Sequence, residues 1–129
     1  MGSSGAGKTS LLNLISDRLS KKNGQTFEGS VLINDKIPLN QEMFGNIGAY
    51  VMQDDILFSY FTVEEAFEFA AKLKLNCPLS EQKRRVKKLL QELGLWYVRS
   101  TMVGDSMKKY ISGGERKRTA IGVELITDP

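Results

Sequence analysis

Eight residues at the start of the chain have types and a spacing that could bind phosphate. The pattern is Gly-x-x-x-x-Gly-Lys-Thr, formed by Gly2, Ser3, Ser4, Gly5, Ala6, Gly7, Lys8 and Thr9. Its glycines let the backbone turn tightly around an anion, so that successive N–H groups point at phosphate oxygens. The Lys8 ammonium can reach β- and γ-phosphates, and the Thr9 hydroxyl can ligate Mg²⁺. A flexible Gly/Ser leader would not place Lys and Thr before an apolar helix, so we predict a phosphate-binding loop.

A second string, Ile-Ser-Gly-Gly-Glu-Arg, occupies residues 111–116. Its two adjacent glycines precede a charged amphipathic segment, which predicts an exposed helix N-terminus with the Ser112 hydroxyl beside it. The partial positive charge and the unpaired N–H groups of such a terminus favour anions. By itself, the string is equally typical of a loop followed by an ordinary helix cap.

Composition and charge exclude several classes of protein and of functional site. The chain has 129 residues, 41% hydrophobic and 26% charged, which is typical of one small globular domain. A net charge of +3 is too small for a dedicated nucleic-acid binder, so we expect no nucleic-acid partner. Cys77 is the only cysteine and histidine is absent. Within this segment, that excludes an internal disulfide, His-based catalysis and most zinc sites.

The hydropathy and the N-terminal residues indicate the compartment in which this part of the protein lies. The first residues lack the profile of a signal peptide, and no apolar run approaches the roughly 20 residues that span a bilayer. We therefore expect an aqueous, reducing, cytosolic setting for this part of the protein. A phosphate loop normally follows a buried strand, yet only Met1 precedes Gly2. We expect a segment of a larger domain that is marginally stable when isolated.

An α/β framework is needed to position the phosphate loop, and residues 1–58 carry its pattern. An apolar stripe predicts a helix from residue 9 to about residue 19. Alternating polarity predicts a strand over residues 27–34. A short apolar run over residues 47–52 predicts a buried strand that ends at Gln53.

The remaining part, residues 59–129, has a helical pattern. Thr62 begins an S/T-x-x-E capping box, and the apolar stripe after it consists of Val63, Ala66, Phe67, Ala70 and Ala71. Ser80 can cap a second helix, which Gly94 ends and whose buried face would be Val86, Leu89, Leu90 and Leu93. A last helix is expected to start at Ser112-Gly113-Gly114 and to carry Ala120, Ile121, Val123 and Leu125.

Taken together, the two glycine motifs resemble the ABC-type ATPase family, which has a Walker A loop and, roughly a hundred residues later, a Ser-Gly-Gly signature. Residues 51–55, Val-Met-Gln-Asp-Asp, match the Q-loop of the family, and residues 126–129 look like the lead-in to its Walker B strand. Residues 112–118, Ser-Gly-Gly-Glu-Arg-Lys-Arg, are similar to the White/ABCG-type signature. The resemblance implies an α/β fold: a P-loop NTPase (RecA-like) core fragment over residues 1–58 and an ABC α-helical subdomain over residues 59–129.

The resemblance also implies roles for individual residues, with ATP and Mg²⁺ as cofactors. The backbone of residues 3–7 would wrap the β-phosphate, with Gly2 also in the nucleotide-binding loop, and Lys8 would neutralise the charge of the β- and γ-phosphates. Thr9 would hold Mg²⁺, and Ser10 would touch the α-phosphate. Gln53 would reach Mg²⁺ and the attacking water, so Lys8 and Gln53 are the candidate catalytic residues. A polar strand terminus is the plainer interpretation of Gln53.

The family pairs two nucleotide-binding domains head to tail, so each signature would cap the nucleotide held by its partner. The signature residues here are Ser112, Gly113, Gly114 and Glu115. The resemblance further implies a transmembrane domain in the same parent chain, a cytoplasmic position for this domain at the membrane, and export of lipids or hydrophobic compounds.

Several groups that the family needs for hydrolysis are absent from the sequence, namely the Walker B glutamate and the switch histidine. We therefore expect little ATP hydrolysis by these 129 residues alone. Three alternatives stay open: a soluble ABC ATPase of translation or DNA maintenance, a non-hydrolysing nucleotide-binding module, and a P-loop kinase. A kinase would leave residues 112–116 without a role.

Overall fold

The structure is a computed structural model that describes residues 1–18, 28–105, 107–108 and 110–129. The chain divides into two compact units, Met1–Ala49 (unit 1) and Tyr50–Pro129 (unit 2). The division of the chain after residue 58 into a RecA-like core fragment and an α-helical subdomain stays a prediction.

The described residues of unit 1 form two helices and one short hairpin. Helix α1 spans Lys8–Ile15, strand β1 spans Leu32–Ile33, strand β2 spans Ile37–Pro38, and helix α2 spans Gln41–Ile47. The strands are antiparallel and pair Leu32 with Pro38 and Ile33 with Ile37. The first helix ends at Ile15, so its predicted end near residue 19 is wrong; Asp17, two residues later, adopts a positive φ of 51°, which does not continue a right-handed helix. The predicted start of the strand at residue 27 lies outside the described residues.

The turn between β1 and β2 follows from residue type. Asn34 and Asp35 adopt positive φ values of 49° and 57°, which short polar side chains tolerate better than other residues do. The strand itself is shorter than the sequence indicated: residues 28–31 are not part of it, because its pairing begins only at Leu32 and ends after Ile33.

The predicted buried strand over residues 47–52 is wrong. Ile47 is the last residue of α2, and residues 48–52 form neither helix nor strand. An apolar run becomes a strand only where a neighbour accepts its backbone hydrogen bonds, and the described ladder joins β1 and β2 alone. Helix α2 was not predicted, although Asn40 caps it by accepting a hydrogen bond from the Met43 N–H at 2.7 Å.

In unit 2, the part of the chain that the structure describes contains three helices and one 3-10 turn. Helix α3 spans Val63–Lys74, α4 spans Leu79–Glu92, the 3-10 turn spans Trp96–Val98, and α5 spans Gly113–Leu125. The predicted capping box of α3 is present, with Glu65 and Thr62 bonded to each other in both directions. The predicted Ser80 cap is wrong, because α4 already begins at Leu79, directly after Pro78.

The hydrophobic core of unit 2 lies where α3 packs against α4 and α5. The five apolar residues of the predicted α3 stripe are all buried there. Phe67 of α3 and Leu90 of α4 are completely buried. On α5, the buried residues are Thr119 and Gly122. Gly122 has no side chain, so the Phe67 ring can approach the α5 backbone closely.

Candidate functional site

The phosphate loop has the backbone shape that its glycines permit. Gly5 and Gly7 adopt φ values of 80° and 81°, in the left-handed region that residues with a Cβ rarely occupy. Gly7 is the N-cap of α1, so the loop opens directly onto a helix start. Residues 1–10 are all exposed. The exposed loop therefore combines two left-handed glycines with a helix N-terminus, an arrangement that suits an anion.

Lys8 folds back over this loop. Its Nζ donates hydrogen bonds to the carbonyl oxygens of Gly2 at 2.8 Å and Ser3 at 2.7 Å. The ammonium thus stands beside the loop, held by two neutral acceptors. A phosphate would offer charged acceptors to the same donors, and hydrogen bonds between two charged groups are stronger. The residues present therefore fit a phosphate group.

The second glycine motif begins a helix, as predicted. Ser112 is the N-cap of α5 and accepts a hydrogen bond from the Glu115 N–H at 3.2 Å. The Glu115 carboxylate in turn accepts hydrogen bonds from the Ser112 N–H at 2.7 Å and from its hydroxyl at 2.8 Å. These bonds from Ser112, with a smaller contribution from the charge of Arg118, hold the pKa of Glu115 below its usual value of 4.5.

This capping box leaves the glycines of the motif accessible. Ser112, Gly113 and Gly114 are exposed, and Gly113 has no neighbouring atom near the position that a Cβ would take. The arrangement is an exposed helix N-terminus with one serine hydroxyl. That hydroxyl donates a hydrogen bond to the Glu115 carboxylate of the same helix.

Gln53 lies in an exposed, irregular segment of unit 2 rather than at the end of a strand. Its carbonyl oxygen accepts a hydrogen bond from Lys117 Nζ of α5 at 3.2 Å. Within unit 2, the structure thus brings the backbone of Gln53 and the helix of the second motif together. Lys117 and Asp55 form an ion pair at 2.9 Å beside this contact.

Sequence reasoning missed these connecting residues. In the sequence, the basic run that contains Lys117 is equally typical of a solvated helix face, and no local pattern gives Asp55 a partner. The adjacency of an acidic pair to Gln53 and of a basic run to the second motif was the available signal, but 62 residues separate Asp55 from Lys117.

The roles of the remaining candidates stay predictions. Within the described ranges, no group of three or more His, Cys, Asp or Glu side chains comes together as a metal site. Thr9 and Gln53 are thus predicted Mg²⁺ ligands only. In the same ranges, no helix combines the length and the apolar character that crossing a membrane requires.

Comparison with known proteins gives a consistent result. The family model of the ABC transporter matches residues 1–129. The chain is 48% identical over 129 residues to the ABC transporter G family member 5 of Arabidopsis thaliana and covers 19% of it. It is 43% identical to G family member 6 of the same plant and 40% identical to G family member 5 of Oryza sativa subsp. japonica, covering 18% and 16% of them.

All of the chain takes part in each of these matches, and it spans less than a fifth of the length of these relatives. The family model implies the P-loop NTPase fold, in which a glycine-rich loop and a following helix bind phosphate. The loop geometry at residues 2–9 agrees with this chemistry. The chain belongs to the ABC transporter family.

Proposed function

We propose that this chain is the ATP-binding part of the nucleotide-binding domain of an ABCG-type transporter. In this proposal, residues 1–58 are a partial RecA-like core and residues 59–129 are the α-helical subdomain with the signature helix. The observation that carries the proposal is the phosphate loop, where Gly5 and Gly7 have left-handed backbones and Lys8 stands over the carbonyls of its own turn.

The residues of the loop divide the work of holding a triphosphate. The backbone of residues 3–7 would surround the β-phosphate, and Lys8 would leave its carbonyl acceptors for the β- and γ-phosphates. Ser10 would contact the α-phosphate. Thr9 and Gln53 would supply oxygen ligands to Mg²⁺, a cation that prefers oxygen. Bound Mg²⁺ would offset the charge of the phosphates.

Residues Ser112–Glu115 would act on the nucleotide of a second nucleotide-binding domain. Two such domains would pair head to tail, and the exposed N-terminus of α5 would cap the γ-phosphate held by the partner. The open surface at Gly113 and the Ser112 hydroxyl support this role, because a helix start that binds another chain's ligand must be accessible.

The activity of the whole protein is proposed from its family. ATP binding and hydrolysis would power export of lipid-like or hydrophobic substrates through a transmembrane domain of the same parent chain. The nucleotide-binding domain would lie on the cytoplasmic side of that membrane. Closure of the paired domains on ATP and their release after hydrolysis would supply the motion.

Binding of Mg-ATP to the wild-type chain, to Lys8→Ala and to Lys88→Ala tests the proposal. Loss of charged hydrogen bonds costs on the order of 1.5–3 kcal/mol, so Lys8→Ala should weaken binding by at least about tenfold. Lys88 forms an exposed ion pair with Glu92 on α4 and is the matched control, whose replacement should leave the affinity unchanged. Equal affinities for all three proteins would remove the phosphate assignment.

A further inference from the structure

One lysine of α5 contacts three acceptors in the segment that carries Gln53. Lys117 Nζ donates to the carbonyl oxygen of Met52 at 3.1 Å and to that of Gln53 at 3.2 Å. It also pairs with the Asp55 carboxylate at 2.9 Å. An ammonium group has three N–H donors, so these contacts use all of them.

The neighbouring cation supports the same segment. Arg116 donates to the Gly104 carbonyl at 2.7 Å and, at 3.5 Å, to the Asp55 carbonyl. Asp55 therefore meets α5 twice, once through its side chain and once through its backbone. Two consecutive residues of one helix thus contact one short stretch of chain.

The ion pair between Lys117 and Asp55 is more shielded from water than an ordinary surface ion pair. The Asp55 side chain is only 17% exposed and that of Lys117 is 42% exposed, so water screens the pair less than it screens fully exposed charges. Residues 48–57 form no helix or strand, so the contacts of Lys117 and Arg116 help to fix their path. The separation of more than 60 residues makes this a tertiary connection.

We propose that Lys117 is a positioning residue that ties the Gln53 segment to α5, so that a displacement of Gln53 moves the start of α5. Lys117 lies five residues after Ser112 on the same helix. A helix rises only about 1.5 Å per residue, so the tie and the helix start are about two turns apart at most. The inference rests on the proposed function for the roles of Gln53 and of residues 112–115.

The consequence concerns communication between two nucleotide sites. Gln53 would respond to the nucleotide of its own domain, and Ser112 to the nucleotide of the partner. Through the rigid helix α5, Lys117 would transmit a movement of Gln53 to Ser112. The lysine touches no nucleotide in this scheme and acts only through the two segments that it joins.

Nuclear magnetic resonance of the ¹⁵N-labelled 129-residue chain tests the tie. The proteins are the wild type, Lys117→Met, Lys117→Arg, Asp55→Asn and the control Lys88→Met, at a dilution where sedimentation shows monomers. Before nucleotide is added, the order parameter of the Gln53 amide should be about 0.85 in the wild type and below about 0.6 in Lys117→Met. Lys117→Arg should keep the higher value, and Asp55→Asn should lie between.

Addition of Mg-ATP then separates positioning from general stability. In the wild type, the amide signals of Gln53, Gly113 and Gly114 should all shift. In Lys117→Met, the Gln53 shift should remain and the two glycine shifts should be lost, while the amides of α3 keep their order. Unchanged glycine shifts in Lys117→Met, or equal losses in Lys88→Met, would overturn the tie.

Failure of the proposed function gives a different result. Mg-ATP would then shift no signals, or Lys8→Ala would shift the same ones as the wild type. The order parameters recorded without nucleotide would still decide whether Lys117 holds the Gln53 segment.

Discussion

At the scale of single residues, Ser112 combines two roles, helix capping and a proposed contact with nucleotide, whereas Thr62 has only the first. Ser112 stabilises its helix, and we propose that it also meets the partner's nucleotide. Thr62 begins α3 with the same reciprocal pattern of hydrogen bonds, between Thr62 and Glu65, but belongs to no proposed nucleotide contact. The chain thus contains an internal control for the functional use of a helix cap.

Replacement of each cap by alanine should separate these uses. Ser112→Ala and Thr62→Ala should both lower the free energy of unfolding by about 1 kcal/mol, because each removes an N-cap acceptor. Only Ser112→Ala should weaken Mg-ATP-dependent association of two copies. Urea unfolding measures the first effect and analytical sedimentation the second. If Thr62→Ala reduced association as much, the effect of Ser112→Ala would be one of stability alone.

The Glu81 carboxylate predicts a dependence of stability on pH. Hydrogen bonds from Arg84 and Arg85 lower the pKa of Glu81 from 4.5 to about 2. A depressed folded-state pKa stabilises the fold above the unfolded value of about 4.5, and this contribution is lost as the pH falls towards about 2. Glu81→Gln should therefore lower the melting temperature slightly at neutral pH, and this difference should shrink as the pH falls to about 2.

The effect should be small, because Glu81 and its two arginines lie at the surface, where water and salt screen ion pairs. Melting curves of both proteins across this pH range measure it. A difference that stayed constant down to the lowest pH would mean that Glu81 acts through packing and not through its charge.

At the scale of elements, the packing of α5 against α3 depends on a missing side chain. A Cβ at Gly122 would overlap the Phe67 ring and would lie 2.7 Å from a methyl group of Leu93. Phe67 is fully buried in the core, so it has little room to move away. The contact sets how closely the two helices approach.

Gly122→Ala should therefore destabilise unit 2. Overpacking costs about 1–3 kcal/mol, and alanine regains up to about 1 kcal/mol through its higher helix propensity. Gly113→Ala in the same helix is the control, because its Cβ would meet open space. Urea unfolding followed by the fluorescence of Trp96, the only tryptophan, measures both. Equal stabilities of the two variants would show that the Phe67 ring can shift to accommodate a methyl group at position 122.

Local patterns predicted the helices of unit 2 well. The capping box at Thr62 and the stripe from Val63 to Ala71 are local, and the structure confirms both. Gly94 follows α4 with a φ of 65°, as expected of a residue that ends a helix. The buried face of α5 was not predicted, because neither Thr119 nor Gly122 has a hydrophobic side chain; Gly122 is buried against the Phe67 ring.

Features that depend on distant residues were the ones missed. The apolar run at residues 47–52 lacks a described strand partner, which no local pattern reveals. The contacts of Lys117 join residues far apart in sequence, so its basic neighbours looked like an ordinary surface. The phosphate loop was predictable because its chemistry is contained in eight consecutive residues.

At the scale of the whole molecule, the buried apolar side chains are unevenly divided. Among the described residues, those of the hydrophobic core all belong to unit 2, from Val63 to Ile126. In unit 1, helix α1 buries no residue, and Leu11, Leu12, Leu14 and Ile15 are exposed. The phosphate loop therefore precedes a helix with few packing contacts, while the second motif begins a helix that is anchored in a core.

Hydrogen exchange of the native chain should show this division. Amides of α3, α4 and α5 should exchange slowly, because they open only when the core opens, and amides of α1 should exchange fast. Mg-ATP at about 100 times its dissociation constant should slow the α1 amides by up to about hundredfold, because it binds only the folded loop. Lys8→Ala should reduce this effect. Slow exchange in α1 without nucleotide would contradict the division, whereas fast exchange that Mg-ATP leaves unchanged would place its binding elsewhere.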